Sequence, residues 1–187
     1  ILVALLIATL AILYLNITTF YILIRKSIIL NWFESDAKKN DNVPLNNLSG
    51  WNRDSKSYDE MILHAVSKMN PPIKANKSIF DFGCGVGAAL KTINEHYNNS
   101  LIIGGSDLSI NAINKIKEIF PNKKNNFFKL GMTDRHPLPN NSQDHVISIG
   151  ALGMYLYKNE MLVSIKEAVR ITKPGGSLCF TNFIHPQ

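Results

Sequence analysis

The hydrophobic positions are distributed very unevenly along the 187-residue chain. Residues 1–24 contain no charged side chain and only four that fall outside the apolar set. As a helix, this segment would span roughly 36 Å, enough to cross a hydrocarbon core of about 30 Å. A secretory signal would have a shorter apolar region and a cleavage site, and a buried core helix would keep a polar face. The pattern therefore predicts a transmembrane helix over residues 1–24.

The segment that follows changes character abruptly. Residues 25–55 are rich in Asn, Asp, Ser and Lys, a composition that predicts a juxtamembrane linker rather than a packed element. Arg25 and Lys26 follow the apolar segment directly, and Lys38 and Lys39 come soon after. Because positive charge flanks the cytoplasmic ends of membrane spans, we expect a single-pass membrane protein whose remaining residues face the cytoplasm.

Residues 56–187 alternate between extended and helical patterns, which predicts one α/β domain. Short apolar runs predict five strands, at Ser78–Phe82, Leu101–Gly105, Phe127–Leu130, His145–Ile149 and Ser177–Phe183. Helical spacing of apolar residues predicts the helices between them, with inward positions that include Met61, Ile62, Met161, Leu162, Ile165, Ala168 and Val169. Strands alternating with helices indicate a doubly wound, mostly parallel sheet, covered on both faces. A ligand of such a sheet binds at the carboxyl ends of the strands.

A glycine-rich turn at Gly83–Gly87 joins the first strand to the following helix. Three glycines there allow the backbone to approach a ligand closely. Asp107 lies twenty residues further on, at the tip of the second strand, where a carboxylate can accept hydrogen bonds from two ribose hydroxyls. Together these features indicate an adenosine-type cofactor.

Two cofactor classes fit this turn. Gly83, Gly85 and Ala88 satisfy the permissive dinucleotide fingerprint of nicotinamide and flavin enzymes. Asp81, however, lies inside the first strand, where a carboxylate is costly to bury without partners. It could hold the amides of the glycine turn and face a cationic group, such as the amino group of a methionine moiety.

Several motifs resemble those of class I S-adenosylmethionine-dependent methyltransferases, in particular methyltransferase domains of type 11. The run Ile79–Gly87 resembles their first motif, Gly105–Ser109 their ribose-binding strand end, and Glu167–Gly176 the helix end and turn before strand five. The resemblance covers most of residues 56–185. It implies a Rossmann-like fold, methyl transfer as the reaction and S-adenosyl-L-methionine as the cofactor. Such domains usually add two strands after strand five, so we expect the domain over 56–187 to be incomplete at its C-terminus.

The resemblance also implies which residues surround the cofactor. The set comprises Asp81, Gly83, Cys84, Gly85, Gly87, Asp107, Leu108, Thr133, Asp134, Gly150 and Ala151. The chain departs from the family after strand three, where an acid often stands next to a glycine. Here Gly131 is followed by Met132, so either Asp134 or a backbone carbonyl accepts from the adenine amino group. No catalytic base is assigned, although Tyr155, Tyr157 and His185 follow strands four and five.

Charge and cysteine content narrow the possible partners. Two cysteines cannot form a disulfide framework, and no Cys/His spacing resembles a zinc site, so no metal is expected. The net charge is +6, with lysines clustered over residues 115–129. The cluster lacks interleaved stacking aromatics, so we expect no nucleic-acid partner. A solvated helix edge, or a surface lying against anionic headgroups, explains the lysines.

Three functional hypotheses remain open from the sequence. The first is a membrane-anchored methyltransferase acting on a small-molecule or lipid-like acceptor. The second is an NAD(P)-dependent oxidoreductase, and the third is a tethered cofactor-binding domain without turnover. Cofactor binding separates the first from the second, and turnover separates the first from the third.

Overall fold

The computed structural model describes residues 43–48, 54–152, 156 and 158–181, together with ten positions between 14 and 35. The chain divides into two compact units, Ile1–Trp32 and Phe33–Gln187. Most of the span predicted over residues 1–24 lies outside the described residues, and so do Tyr155, Tyr157 and His185. Among the positions that are described, no helix is both long and apolar enough to cross a membrane. The span therefore stays a prediction.

The second unit is built on a parallel sheet, as the alternating pattern predicts. Its strands are β1 (Ser78–Phe82), β2 (Ile102–Asp107), β3 (Phe127–Lys129), β4 (Gln143–Ile149) and β5 (Thr172–Thr181). They lie in the order β3-β2-β1-β4-β5, and every neighbouring pair is parallel. The order reverses between β1 and β4, so the carboxyl ends of these two strands form the switch point where ligands bind.

Helices lie between the strands, as the pattern predicts, and one short helix lies in the predicted linker. They are α1 (Leu45–Leu48), α2 (Ser55–Ser67), α3 (Ala88–His96), α4 (Ile110–Ile119) and α5 (Lys158–Ile171), with a 3₁₀ helix at Pro121–Asn126. Side chains cap two of them. The Asp54 carboxylate accepts from the Ser57 amide at 2.9 Å, and the Ser109 hydroxyl accepts from the Ala112 amide at 3.1 Å.

The two faces of the sheet carry separate cores. One face presents Ile79, Ile103 and Ile147 to apolar side chains of α2, α3 and α4. The opposite face presents Phe80 and Phe82 to α5 and the loop before β4. Both faces of the sheet are therefore covered, which confirms the doubly wound architecture.

The linker predicted over residues 25–55 is not wholly a tether. Leu48 of α1 is 2% exposed and packs with Val86 and Ala112. Val43 and Leu45 pack against the same small cluster, so a few apolar residues in a polar stretch are enough to dock it. The second unit, Phe33–Gln187, therefore includes part of the predicted linker.

The Lys-Pro-Gly-Gly segment differs from its predicted role as a turn before strand five. β5 begins at Thr172, and its register with β4 jumps between the pairs Gln143–Thr172 and His145–Ser177. The intervening residues form a bulge in which Gly175 has a φ of +75°. A side chain on Gly176 would come within 2.6 Å of the Asp144 carbonyl oxygen, so a glycine is needed at the bulge.

The buried face of α5 is also different from the predicted one. Leu162 and Val169 are 50% and 54% exposed, whereas Ser164 and Glu167 are buried together with Ala168. The reason is that polar side chains of α5 form hydrogen bonds with a neighbouring loop. The Ser164 hydroxyl donates to the Met132 carbonyl at 2.7 Å, and Glu167 accepts from a loop amide, so bonds to the loop after β3 determine which face turns inward.

Candidate active site

The glycine turn lies at the carboxyl end of β1 and is closely packed from both sides. Gly83 has a φ of +77°, and a Cβ atom there would lie 2.6 Å from the Cβ of Ala151. Gly87 has a φ of +88°, and its Cβ would lie 2.6 Å from the Ile116 side chain. Both positions therefore require glycine for conformation and for space. The contact with Ala151 places the end of β4 against the turn, as expected if Ala151 and Gly83 belong to one cofactor-binding site.

Backbone hydrogen bonds hold the turn against the end of β2. The amides of Gly83 and Cys84 both donate to the Ser106 carbonyl, at 2.8 and 2.9 Å. The Gly85 amide donates to Oδ2 of Asp107 at 2.9 Å. Asp81 accepts none of these amides, so the prediction that it holds the turn is wrong. The neighbouring strand β2 does so instead.

Asp107 lies where a ribose-binding carboxylate is predicted. Besides the Gly85 amide, it accepts the Ser109 amide on Oδ1 at 2.8 Å, which fixes the orientation of the carboxylate. Burial raises the pKa of Asp107, and the two amide donors oppose that rise. Each carboxylate oxygen retains a lone pair, so the group can accept further hydrogen bonds from a pair of hydroxyls.

Asp81 has the unusual environment that its position in β1 predicts. It is 2% exposed, and its Oδ1 atom has no hydrogen-bond partner in the part of the chain that the structure describes. Burial, reinforced by the charge of Asp107, raises the pKa of Asp81 well above its usual range. A cationic ligand group beside Oδ1 would remove the cost of this isolated carboxylate.

The register of the sheet places these groups in one layer. Phe82 pairs with Ser106, so Gly83 and Asp107 extend the same row across β1 and β2. Asp81 pairs with Ile147, which in turn pairs with Cys179 of β5. The predicted residues from three distant parts of the sequence therefore meet at one edge of the sheet.

The region after β4 completes this edge. The Gly150 amide donates to the Thr181 carbonyl at 2.9 Å, and Gly150 has a φ of +72°. The Thr181 hydroxyl is buried and has no hydrogen-bond partner among the described residues. It is a second orphaned polar group near the switch point, and sequence analysis gave no indication of it.

The predicted adenine side is formed by Leu108 and the loop after β3. Leu108 is 47% exposed, and a Cβ on Gly131 would lie 3.8 Å from its Cδ1 atom. Oδ2 of Asp134 accepts the Gly131 amide at 2.7 Å. Asp134 is thus held within the loop that approaches Leu108, and Thr133 lies half-buried beside it. An adenine contact from Thr133 or Asp134 stays a prediction.

Cys84 lies inside the turn rather than on its surface. It is 5% exposed, and a Cβ on Gly105 would lie 2.9 Å from its sulfur atom. Burial raises the pKa of the Cys84 thiol well above its usual range, so the thiol stays protonated. Cys84 therefore contributes packing and its backbone amide to the site.

Sequence analysis missed several polar residues close to this site. His136, in the loop before β4, is 2% exposed, and its Nε2 atom lies 2.7 Å from the Ser106 hydroxyl. Tyr58 of α2 is also buried, and its pKa is raised by burial and by the charge of Asp81. His136 stands in a polar, irregular segment that includes Asp134 and Arg135, so no local signal in the sequence distinguishes it.

Taken together, the residues present fit a nucleoside cofactor that carries a cationic amino acid end. The unpartnered Asp81 oxygen suits an ammonium group, and Asp107 suits a vicinal diol. The glycine turn lies between them, with no side chain on Gly83 or Gly85 to obstruct a ligand.

The family described as "Methyltransferase domain" matches residues 80–180. The match begins inside β1 and ends inside β5, so it contains every predicted cofactor-binding residue. No curated protein matches the chain.

Solved structures share this fold. A chain from the complex between the Trm112 methyltransferase activator of Haloferax volcanii and a candidate methyltransferase is 23% identical, with a TM-score of 0.53 over 70% of this chain and 57% of that chain. A candidate S-adenosyl-L-methionine-dependent methyltransferase from Methanococcus maripaludis is 15% identical, with a TM-score of 0.57 over 78% of this chain and 67% of the other. Phosphoethanolamine N-methyltransferase 2 of Haemonchus contortus, in complex with S-adenosyl-L-methionine, is 21% identical, with a TM-score of 0.53 over 66% and 28%.

At these identities the structural likeness concerns the fold, and this chain spans only about half the length of the first of these proteins. The family match carries the assignment further, because it covers more than half of the chain. The prediction of S-adenosyl-L-methionine as the cofactor is thereby confirmed, and the oxidoreductase hypothesis gains no support. The chain belongs to the methyltransferase domain family.

Proposed function

We propose that the protein transfers the methyl group of S-adenosyl-L-methionine to a small-molecule or lipid-like acceptor, from a domain tethered to a membrane. The observation that supports this most directly is the buried, unpartnered Oδ1 atom of Asp81, which lies below the glycine turn and beside Asp107. Such a costly buried group supports the binding of a cationic cofactor, and membership of the methyltransferase domain family supports the transfer step.

The chain's own residues bind and orient the cofactor. Asp81 would accept the ammonium group of the methionine end, and Asp107 would accept the two ribose hydroxyls. Gly150 and Ala151 would border the sulfonium and the incoming acceptor. When bound, the cofactor supplies an activated methyl group that leaves sulfur by in-line displacement.

The remaining task of the protein is alignment and the exclusion of water. Ala151 and Met132 both lie against Gly83, which encloses the turn with apolar side chains. The orphaned Thr181 hydroxyl offers one hydrogen bond at the β5 side of the edge. A base is needed only where the acceptor must lose a proton, and we assign none.

The membrane part of the proposal rests on the sequence. The uncharged segment 1–24, followed by Arg25 and Lys26, supports a single-pass anchor with the domain on the cytoplasmic side. Tyr14, Phe20 and Ile28 of the first unit are each more than 60% exposed. An anchor would bring the site close to molecules that partition into the bilayer, which favours a lipid-like acceptor.

Calorimetric titration of the full chain, purified in detergent, with S-adenosylhomocysteine and with NADH tests the cofactor assignment. We expect micromolar binding of S-adenosylhomocysteine and no binding of NADH. The variant Asp81→Asn should bind more weakly. Asp144→Asn is the matched control, because Asp144 lies beside Ser78 at the opposite end of the strands. Binding of NADH alone would overturn the proposal.

Turnover on acceptors decides between an enzyme and a tethered binding domain. The first acceptor to test is a total lipid extract, with a labelled methyl group on the cofactor. Separated lipid classes and water-soluble amines are tested next. We expect a labelled product whose formation depends on Asp81. Cofactor binding by folded protein without transfer to any acceptor fraction would favour the non-catalytic alternative.

A further inference from the structure

A buried polar network lies under the glycine turn, on the face of the sheet opposite α2. His136 comes from the loop between β3 and β4, and its ring lies against Phe82 with 4.4 Å between the ring centroids. Its Nε2 atom lies 2.7 Å from the hydroxyl of Ser106, which is fully buried. This is a hydrogen bond between two side chains that water does not reach.

The other side of His136 is held by α5. The His136 amide donates to Oε1 of Glu167 at 2.7 Å, and Arg170 donates to the His136 carbonyl at 3.1 Å. Arg170 also donates to Oε2 of Glu167 at 2.7 Å, and the pKa of Glu167 is lowered to about 2 by this bond. The backbone of His136 is therefore fixed by an ion pair, which leaves the ring to act on Ser106.

Ser106 connects this network to the site. Its carbonyl oxygen is the acceptor for the amides of Gly83 and Cys84, while its hydroxyl meets His136. One residue thus joins the imidazole to the two amides that hold the glycine turn against β2. No other described side chain hydrogen-bonds to the Ser106 hydroxyl.

We propose that His136 is a positioning residue for the cofactor-binding turn, acting through Ser106 to keep the carbonyl acceptor of the Gly83 and Cys84 amides in place. This inference rests on the proposed function for its link to cofactor affinity, but its effect on the turn does not. His136 is not one of the residues expected to surround the cofactor. Its proposed role is to order the backbone of the glycine turn, which is.

The surroundings of the ring indicate how protonation would act. Glu167 and Arg170 face it from α5, Asp134 from its own loop, Ser106 from β2, and Phe80 and Phe82 from β1. Burial lowers the pKa of His136, against the opposing effect of the Glu167 charge. The Nδ1 atom has no hydrogen-bond partner among the described residues and lies 3.6 Å from Oε1 of Glu167. A protonated ring would be drawn toward this oxygen and away from Ser106.

The chain offers a matched control for this network. His145 is also 2% exposed, and its Nδ1 atom lies 2.8 Å from the Ser177 hydroxyl. This second pair joins β4 to β5 on the opposite face, and Ser177 donates to the Pro71 carbonyl rather than to the glycine turn. Both pairs bury a histidine against a serine, but only the first adjoins the cofactor site.

The decisive measurement is amide hydrogen exchange of Gly83 and Cys84 in the ligand-free protein, for wild type, His136→Leu, His136→Gln and His145→Leu. We expect His136→Leu to accelerate exchange of these two amides about tenfold, which His136→Gln largely restores because its amide can still reach Ser106. His145→Leu should leave them unchanged. Unaltered exchange in His136→Leu, or equal acceleration in His145→Leu, would refute the positioning role.

Affinity for S-adenosylhomocysteine between about pH 5 and 8 is the second readout. His136→Leu should bind about 3- to 10-fold more weakly at neutral pH. His136→Gln should bind nearly as well as wild type, but without the weakening at acid pH that protonation of His136 causes. Identical pH profiles for wild type and His136→Gln would contradict this coupling. A wild-type protein that binds no S-adenosylhomocysteine would refute the proposed function, and the exchange data would still decide the role of His136.

Discussion

At the scale of single residues, Asp81 should lower the stability of the ligand-free protein and raise its affinity for the cofactor. Its carboxylate is buried, one oxygen has no partner in the described part of the chain, and the charge of Asp107 lies close by. A group that is costly without a ligand becomes favourable once a cation neutralises it. Function and stability should therefore respond in opposite directions when Asp81 is changed.

The variant Asp81→Asn tests this opposition. It keeps the shape of the side chain and removes the charge, so we expect the ligand-free protein to gain about 1–3 kcal/mol in free energy of unfolding. Affinity for S-adenosylhomocysteine should fall by about 2–4 kcal/mol, because the ammonium group loses its anionic partner. Urea unfolding and calorimetry measure the two effects. A variant that is less stable than wild type without ligand would contradict the argument.

Asp81 should also give the ligand-free protein a distinctive pH dependence. A carboxyl group whose folded pKa is raised holds its proton longer in the folded than in the unfolded state. Asp81 therefore contributes stability at low pH, where it is protonated. This contribution is lost as the pH rises from about 4, the pKa of an aspartate in the unfolded chain, through the raised pKa of the folded state. Comparing urea midpoints of wild type and Asp81→Asn across this window isolates the effect, which the variant should lack.

Asp107 should act on cofactor affinity through its two oxygens. Asp107→Ala removes the ribose acceptors, together with the acceptors of the Gly85 and Ser109 amides. We expect S-adenosylhomocysteine binding to weaken by about 1–3 kcal/mol, measured by calorimetry on protein whose thermal unfolding remains cooperative. Unchanged affinity in such a folded variant would show that the ribose is bound elsewhere.

These residues could be predicted because each one stands in a local pattern. Asp81 and the glycines follow a strand, and Asp107 ends the next one, so parallel strands bring them to the same edge. His136 and Ser106 form a pair that no local pattern reveals, since they are thirty residues apart and one lies in an irregular loop. Only the packing of that loop under β1 and β2 brings them together.

At the scale of elements, two glycines with similar backbone angles allow the cost of a left-handed conformation to be distinguished from the cost of a steric clash. Gly83 and Gly175 have φ values of +77° and +75°, but a Cβ on Gly175 meets nothing within 4 Å. Gly175→Ala should therefore cost only the left-handed conformation, about 1–2 kcal/mol. Gly83→Ala should cost about 1–3 kcal/mol more, because its Cβ would collide with that of Ala151. Equal free energies of unfolding for the two variants would show that the end of β4 shifts to accommodate the added methyl group without cost.

A second element-scale prediction concerns Asp144, which ties three strands together at their amino ends. It accepts from the Ser78 amide and hydroxyl of β1, and from Lys173 of the β5 bulge at 2.9 Å. Burial alone would raise the pKa of Asp144, but the bonds from Lys173 and Ser78 outweigh it and lower the pKa. Its stabilising contribution is thus present above about pH 4 and is lost as the pH falls toward the lowered folded pKa.

Replacing Asp144 with Asn should therefore destabilise the protein in a pH-dependent way. Asp144 pairs with Lys77 as well as with Lys173, and both lysines are more than 40% exposed, so solvent weakens their attraction. We therefore expect a loss of about 1–2 kcal/mol in free energy of unfolding at pH 7. The difference from wild type should narrow below about pH 4. A constant difference across the range would mean that only the neutral hydrogen bonds of Asp144 contribute.

The positions of the five strands could be predicted from the sequence, whereas the orientation of helix α5 could not. Apolar runs located all five strands, because buried parallel strands read as continuous hydrophobic stretches. For α5, apolar periodicity favoured Leu162 and Val169 as inward residues, yet Ser164 and Glu167 take that face. Their partners are backbone groups of the loop at Met132 and His136, which a pattern of side chains cannot encode.

At the scale of the whole molecule, two features of the chain could hold it at a membrane. One is the uncharged segment 1–24, and the other is the net charge of +6, with lysines concentrated over residues 115–129. The two differ in how salt affects them. Attraction between lysines and anionic headgroups is screened within a Debye length, which shrinks to about 3 Å at 1 M salt, whereas burial of apolar surface in lipid is not screened.

The full chain, expressed in cells, should therefore sediment with membranes and stay there through a wash in about 1 M salt. Detergent should release it, since detergent replaces the lipid around an apolar segment. A chain that starts at Phe33, the first residue of the second unit, is the control and should be found in the supernatant after the same salt wash. Release of the full chain by salt alone would mean that its basic surface, not residues 1–24, carries the association. The lipid-like acceptor would then lose its main support, while cofactor binding at Asp81 and Asp107 would be unaffected.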